Sequence, residues 1–439
     1  MARASRSRSR SVRLTGRGWG VVGASAVLLV VAVVLDRREA LYIALFLLLL
    51  SILALVTVRL QRPRLRVRRT FTPTSVSVGE TAMAHAVLES SGPMDAVSGW
   101  REEVPAEFGP MPQGELPAYP RLLRDGYRVT LDYELWSTAR GRFEVGPFFV
   151  SHGDPFGLVV AEKPIGERRT LVVTPEVTPL VDTGTRTASG EGASKQRQQH
   201  TNPRADELIA REYRPGDPLR RVHWRQTARK GELMVRQEEQ QGDPEVCLLL
   251  ETTRPSHRTG DGATSSAHFE RMVELAASVG VLLSDAGNAI ALIETAVDEH
   301  GDGRVRPRVS HLAPGGSAAL LEVLAESRRA QVPDGYDVAA ALAPVVRRSG
   351  RAVPVFAILG AVSAMSARRL ASLKVHAEPA VAFLEHADQA DPLAPGTAAG
   401  ILADSGWRIT PFTANTEVDD AWAAVVRRPS EREGRRAAG

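Results

Sequence analysis

Cysteine is almost absent: Cys247 is the single one in 439 residues, so no disulfide forms within the chain. That excludes a disulfide-stapled secreted scaffold and fits a reducing compartment. Cys247 lies in the apolar run Val246-Cys247-Leu248-Leu249-Leu250, where a buried strand thiol is favoured over a catalytic one. Other chemistries lack their motifs. Gly260-Asp261-Gly262 and Gly301-Asp302-Gly303 are not followed by Lys-Ser or Lys-Thr, which removes a phosphate loop. The ten histidines are scattered, and no His-Glu-x-x-His unit supplies a zinc site. The adjacent acids Glu102 and Glu103 read as opposite faces of a strand at a solvated edge, not as a general acid and base. No catalytic set and no cofactor follow from the sequence, and no internal repeat is visible.

Charge is missing from two long stretches, 18–35 and 40–58. Their 18 and 19 residues match the roughly 20 needed to cross a bilayer as helix. The connector Asp36-Arg37-Arg38-Glu39 is neutral and leaves room for a tight hairpin. A signal peptide is the alternative for the first run. The second span, and the lack of a small-residue cleavage site after the first, argue against it. Acids are absent from residues 1–17 and 59–69, each of which holds six arginines. The positive-inside rule therefore predicts a multi-pass protein of the plasma membrane, with both termini and everything from residue 61 cytoplasmic. The net charge is +4, so setting aside those twelve arginines leaves −8 for the rest. Basicity is topological here and gives no ground for expecting nucleic acid as a partner.

Beyond the hairpin, 1–62, the chain divides by pattern. Residues 63–178 alternate apolar and polar between Gly, Pro and Asp turns, as in Tyr127-Arg128-Val129-Thr130-Leu131, which predicts a β-sandwich-like domain. Within it, Arg140-Gly141-Arg142-Phe143 and Asp154-Pro155-Phe156-Gly157-Leu158 read as a strand, a turn and another strand. Residues 179–205 are polar and aperiodic, and are expected to form a flexible linker. From 206 to 428 short apolar strands alternate with amphipathic helices, which predicts an α/β domain with a mostly parallel sheet covered on both faces. The charged tail 429–439 is expected to be disordered.

The densest chemistry lies at residues 211–237, where eight cations and three carboxylates surround Tyr213 and Trp224. Tyr213-Arg214-Pro215-Gly216-Asp217 is a turn, since proline fixes one φ, glycine permits a positive one and aspartate can cap amides. Arg220, Arg221 and Arg229 follow on a segment carrying Trp224, Gly231 breaks it, and a strand reaches Arg236. Arginines beside Trp and Tyr can stack on the rings and pair with nearby carboxylates.

This run resembles the signature of the domain of unknown function 58 family. The likeness rests on Tyr213, Gly216 and Asp217, on the spacing of Arg220 and Trp224, on Ala228-Arg229, and on Leu233 and Val235. The Arg-Gly-Arg-Phe and Asp-Pro-Phe-Gly-Leu segments and the paired membrane spans look like that family too. The resemblance implies a von Willebrand factor A-like α/β domain. It also implies association with MoxR-type AAA+ ATPases and sometimes with transglutaminase-like membrane proteins; it names no reaction. Metal-binding A domains carry Asp-x-Ser-x-Ser after the first strand, because a hard cation needs oxygen ligands. Here Glu251, Thr253 and Pro255 stand at those places, so the site is expected to be degenerate and to hold no metal.

Three readings of the signature stay open: a structural network joining the domains, an interaction surface, or a phosphate or nucleic-acid groove. The working function is a non-enzymatic, membrane-anchored scaffold or adaptor, embedded in the bilayer and working with a MoxR-type ATPase. The alternative is an enzyme of unrecognised chemistry in envelope metabolism.

Overall fold

The computed structural model describes residues 11–60, 65–90, 97–116, 127–181, 210–212, 224–236, 245–255, 262–298, 303–332, 336–348, 352–360, 362–385, 394 and 396–426. The expected linker beyond residue 181 and the expected tail lie outside them. The chain splits into two compact units, Met1–Glu176 with Glu322–Glu326, and Val177–Leu321 with Ser327–Gly439.

The first unit begins with a short strand, β1 (Ser11–Leu14), that the sequence reading did not anticipate. Two helices follow, α1 (Gly16–Val34) and α2 (Arg38–Leu60), each long and apolar enough to cross a membrane by length and composition. Small residues are buried along both helices: Gly18, Ser25 and Ala32 on α1, Ala44, Ser51 and Ala54 on α2. Such residues let backbones approach closely, and Ser25 Oγ donates to Ala44 O across the pair at 2.8 Å. Outward side chains such as Val27, Val33, Phe46 and Leu49 are largely exposed.

Among the described residues this unit has ten more strands: β2 (Leu65–Thr72), β3 (Ser75–Ser77), β4 (Thr81–Ser90), β5 (Val97–Glu102), β6 (Gln113–Glu115), β7 (Tyr127–Trp136), β8 (Gly141–Val145), β9 (Phe148–Gly153), β10 (Val159–Ile165) and β11 (Arg169–Thr174). They form three sheets, in the orders β1-β10-β9-β5-β6, β3-β11-β8 and β2-β4-β7. Alternation dictates the packing. Ala82, Ala84, Ala86 and Leu88 of β4 point inward, and Trp100 stacks on Phe148 with ring centroids 5.4 Å apart.

Inside this apolar core sits an ionic network. Glu102 is fully buried, which corrects the expectation of a solvated edge. Its Oε1 lies 3.2 Å from Nη1 of equally buried Arg69, and its Oε2 accepts from Tyr133 OH at 2.6 Å. The guanidinium also donates to Val145 O at 2.6 Å and Glu167 O at 2.7 Å. Arg69 was counted among the membrane-flanking charges. It is a core residue of β2 and leaves that count. Burial pushes the Glu102 carboxyl up to about 6, against the opposing pull of Arg69 and the Tyr133 hydroxyl. Desolvation therefore outweighs the attraction, as it commonly does for buried pairs. A raised carboxyl contributes stability that is present below its unfolded value of 4.5 and is lost as pH rises through about 6. Between pH 4 and 7 the wild type is thus expected to lose about 2 kcal/mol relative to Glu102→Gln. Urea titrations of both proteins across that range measure the difference; parallel pH profiles would contradict it.

The second unit is built on a six-stranded sheet. Its strands are β14 (Glu245–Leu250), β16 (Ala289–Val297), β17 (Arg306–Leu312), β19 (Val353–Leu359), β20 (Ala377–Glu385) and β21 (Arg408–Phe412). They lie in the order β17-β16-β14-β19-β20-β21, all parallel except β17. The helices are α3 (Trp224–Lys230), α4 (Gly262–Asp285), α5 (Ser317–Glu326, of which the residues up to Leu321 belong to this unit), α6 (Ala339–Arg348), α7 (Ala364–Ala371), α8 (Ala398–Asp404) and α9 (Val418–Val426). Short pairs β12 (Ala210–Glu212) with β13 (Met234–Arg236), and β15 (Thr253–Pro255) with β18 (Ala330–Val332), complete it. Successive strand residues serve opposite faces. Cys247, Leu249, Val355 and Ala357 pack with Leu342 of α6 and Leu370 of α7, while Phe356 meets Trp422 of α9 on the other side, centroids 5.8 Å apart. Cys247 is buried as expected, and burial pushes its thiol up to about 12, which leaves it unreactive at neutral pH.

Candidate functional site

In an open parallel sheet, ligands bind where neighbouring strands send their connections in opposite directions, at the carboxyl ends. That point lies between β14 and β19, and their next residues are Glu251 and Gly360. Glu251 bonds across this point. Glu251 Oε2 accepts from Gly360 N–H at 2.8 Å, and Oε1 accepts from the Thr253 hydroxyl at 2.5 Å. Thr252 turns the other way, with Oγ1 donating to Ala296 O at 2.6 Å and accepting from Ala296 N–H at 2.9 Å. The chain then continues as β15, registering Thr253 with Ala330 and Pro255 with Val332.

Glu251, Thr252 and Thr253 are all buried. Burial raises the Glu251 carboxyl above its ordinary value; Thr253, the Gly360 amide and Arg329 pull it down, and Glu385 pushes it further up. Both oxygens accept hydrogen bonds. Such a group is a hydrogen-bond partner more than a ligand for a hard cation. Among the described residues no group of three or more His, Cys, Asp or Glu is arranged to hold a metal.

Around Glu251 the fold brings in residues that the sequence reading did not single out. Glu385 ends β20, and a Cβ on Gly360 would lie 3.6 Å from Oε2 of both Glu251 and Glu385. Buried His268 of α4 has its Nε2 3.9 Å from Glu385 Oε2. Arg329 donates to Thr253 O at 3.3 Å. These four come from segments far apart in sequence, so no local motif could reveal them. A second acid, Glu294 of β16, is equally buried and fully employed: Arg308 reaches it through two nitrogens at 2.5 Å, and Ser327 donates at 2.8 Å.

Of the signature segment, Tyr213, Arg214, Gly216, Asp217, Arg220 and Arg221 fall outside the described residues. The ends of the segment are paired, with Ala210 opposite Arg236 and Glu212 opposite Met234. Between them Trp224 opens α3 and is 69% exposed. Arg229 and Lys230 at the end of that helix, and Leu233 after it, are exposed too.

No curated protein matches the chain. Residues 209–405, from just before β12 to just after α8, match the family described as protein of unknown function DUF58.

Proposed function

We propose that the chain is a membrane-anchored scaffold or adaptor that works with a MoxR-type AAA+ ATPase in complex assembly or envelope processes, its soluble units on the cytoplasmic side. The observation that carries this reading is Trp224. A tryptophan left 69% exposed on a short basic helix forfeits the stabilisation of burial, and exposed Trp and Arg are the residues that anchor protein contacts. Between a joint and a surface, the exposure of Trp224 and Arg229 favours the surface. The strand order supports an A-like interaction domain: numbered from β14 it reads 3-2-1-4-5-6, with an antiparallel third strand. Anchoring is supported by two apolar helices whose outward side chains are largely exposed.

Trp224→Ala tests the reading in detergent-solubilised full-length protein, mixed with a MoxR-type ATPase purified from the same genome. The variant is expected to lose at least tenfold in affinity, the effect of a hot-spot residue worth about 2 kcal/mol. Its unfolding free energy should stay within about 0.5 kcal/mol of wild type. A variant that binds normally, or one that unfolds early, overturns the assignment of Trp224 to an interface.

A further inference from the structure

The segment Asp154-Pro155-Phe156-Gly157-Leu158 plays no part in the reading above, and its geometry is specific. The Asp154 carboxylate accepts three backbone amides: Phe156 N–H on Oδ1 at 2.8 Å, and Leu158 and Val159 N–H on Oδ2 at 2.8 and 2.6 Å. Gly157 takes the positive φ, +71°, that closes the turn. The turn so fixed grips the first residues of α1. Thr15 donates its N–H to Leu158 O at 2.9 Å and its hydroxyl to Gly157 O at 2.6 Å, and the same hydroxyl oxygen caps Gly18 N–H at 3.1 Å. The approach is so close that a Cβ on Gly18 would lie 2.1 Å from Leu158 O. Leu158 is buried with Ala54 and Val58 of α2, while the tip residues Pro155 and Phe156 point outward. Phe156 is 57% exposed, and Trp19, in the first turn of the helix that the turn caps, is 65% exposed.

We propose that this turn is a membrane-contacting element, with the Phe156 ring seated at the boundary between lipid headgroups and acyl chains, level with the start of α1 beside Trp19. Aromatic rings concentrate at that depth, and a helix of membrane length begins at the capped residue. The turn is rigid, so the ring is presented at a fixed height above the sheet that carries it. The β-rich part of the unit is then held against the bilayer at two points, the hairpin and the turn, rather than tethered at one. The occupant of the exposed tip is lipid. The inference rests on the anchoring part of the proposed function.

The test uses the full chain in vesicles of phosphatidylcholine and phosphatidylglycerol, with an environment-sensitive fluorophore on an introduced cysteine. Buried Cys247 stays in place, and unsubstituted protein serves as the labelling blank. Three sites are compared: Phe156→Cys, Val27→Cys within α1, and Glu144→Cys on β8, whose native side chain is 65% exposed. Brominated lipids are expected to quench the labels at 27 and 156, and aqueous iodide the label at 144. If position 156 behaves like 144 while 27 is quenched by lipid, the turn does not touch the membrane although the hairpin is inserted. If position 27 is also untouched by lipid, the anchoring reading fails and the inference falls with it.

Discussion

Arg69→Met is expected to destabilise the first unit by about 3–5 kcal/mol, because it strands Glu102 without its counter-charge in a dry core. At about 2–4 °C per kcal/mol for a unit of this size, the melting temperature falls by some 6–20 °C. The same substitution removes the donors to Val145 O and Glu167 O, so part of the loss is unmet carbonyl bonding. A second substitution separates the two contributions. Arg69→Met with Glu102→Gln removes both charges and keeps an acceptor for the Tyr133 hydroxyl. The double variant is expected to recover most of the loss, since well-packed neutral residues often replace a buried pair without penalty. If the double variant melts as low as the single one, the carbonyl contacts hold the site and the charge pair contributes little.

That network also shows where sequence reading stopped. Arg69 stands four residues after the start of β2, among arginines that carry a membrane-topology signal; strand alternation puts it on the inward face with Leu65, Val67 and Phe71, opposite exposed Arg66 and Arg68, but does not name its partners. Its partners Glu102, Val145 and Glu167 lie on other strands or turns, and only the three-sheet arrangement joins them. The elements that were legible had strong periods. The hairpin helices are long uncharged runs, and β14, β19 and β20 are continuous apolar stretches that a parallel sheet buries on both faces. By contrast β17, Arg-Pro-Arg-Val-Ser-His-Leu, is an exposed edge strand, and edges tolerate charge and proline. The strands β15 and β18 span three residues each, too few to show a period. At the switch point the sequence reading marks Glu251 and Thr253, and the structure places both just beyond β14. Their hydrogen bond to each other, and the bond from the Gly360 amide, depend on β19 lying beside β14.

Glu251→Ala is expected to destabilise the second unit by about 2–5 kcal/mol, because the half-buried Gly360 N–H and the buried Thr253 hydroxyl lose their acceptor at once and an unmet buried group costs about 1–3 kcal/mol. The alanine also leaves a void beside the carboxyl ends of β14 and β19, where relaxation is restrained by the parallel strands on both sides. Glu251→Gln keeps one acceptor and is expected to lose less. The carboxyl is raised in the folded state, so its contribution is greatest at low pH and declines as pH rises. The Gln variant therefore comes closest to wild type at alkaline pH, where the wild type must hold a buried charge. Urea denaturation of the two variants at several pH values measures these differences, and titration with millimolar Mg²⁺ by calorimetry complements them. Wild type is expected to give no saturable heat, because the oxygens that a hard cation would need already accept internal hydrogen bonds. A one-to-one Mg²⁺ isotherm lost in Glu251→Ala, together with unchanged stability, would make Glu251 a metal ligand and turn this point of the sheet into a binding site.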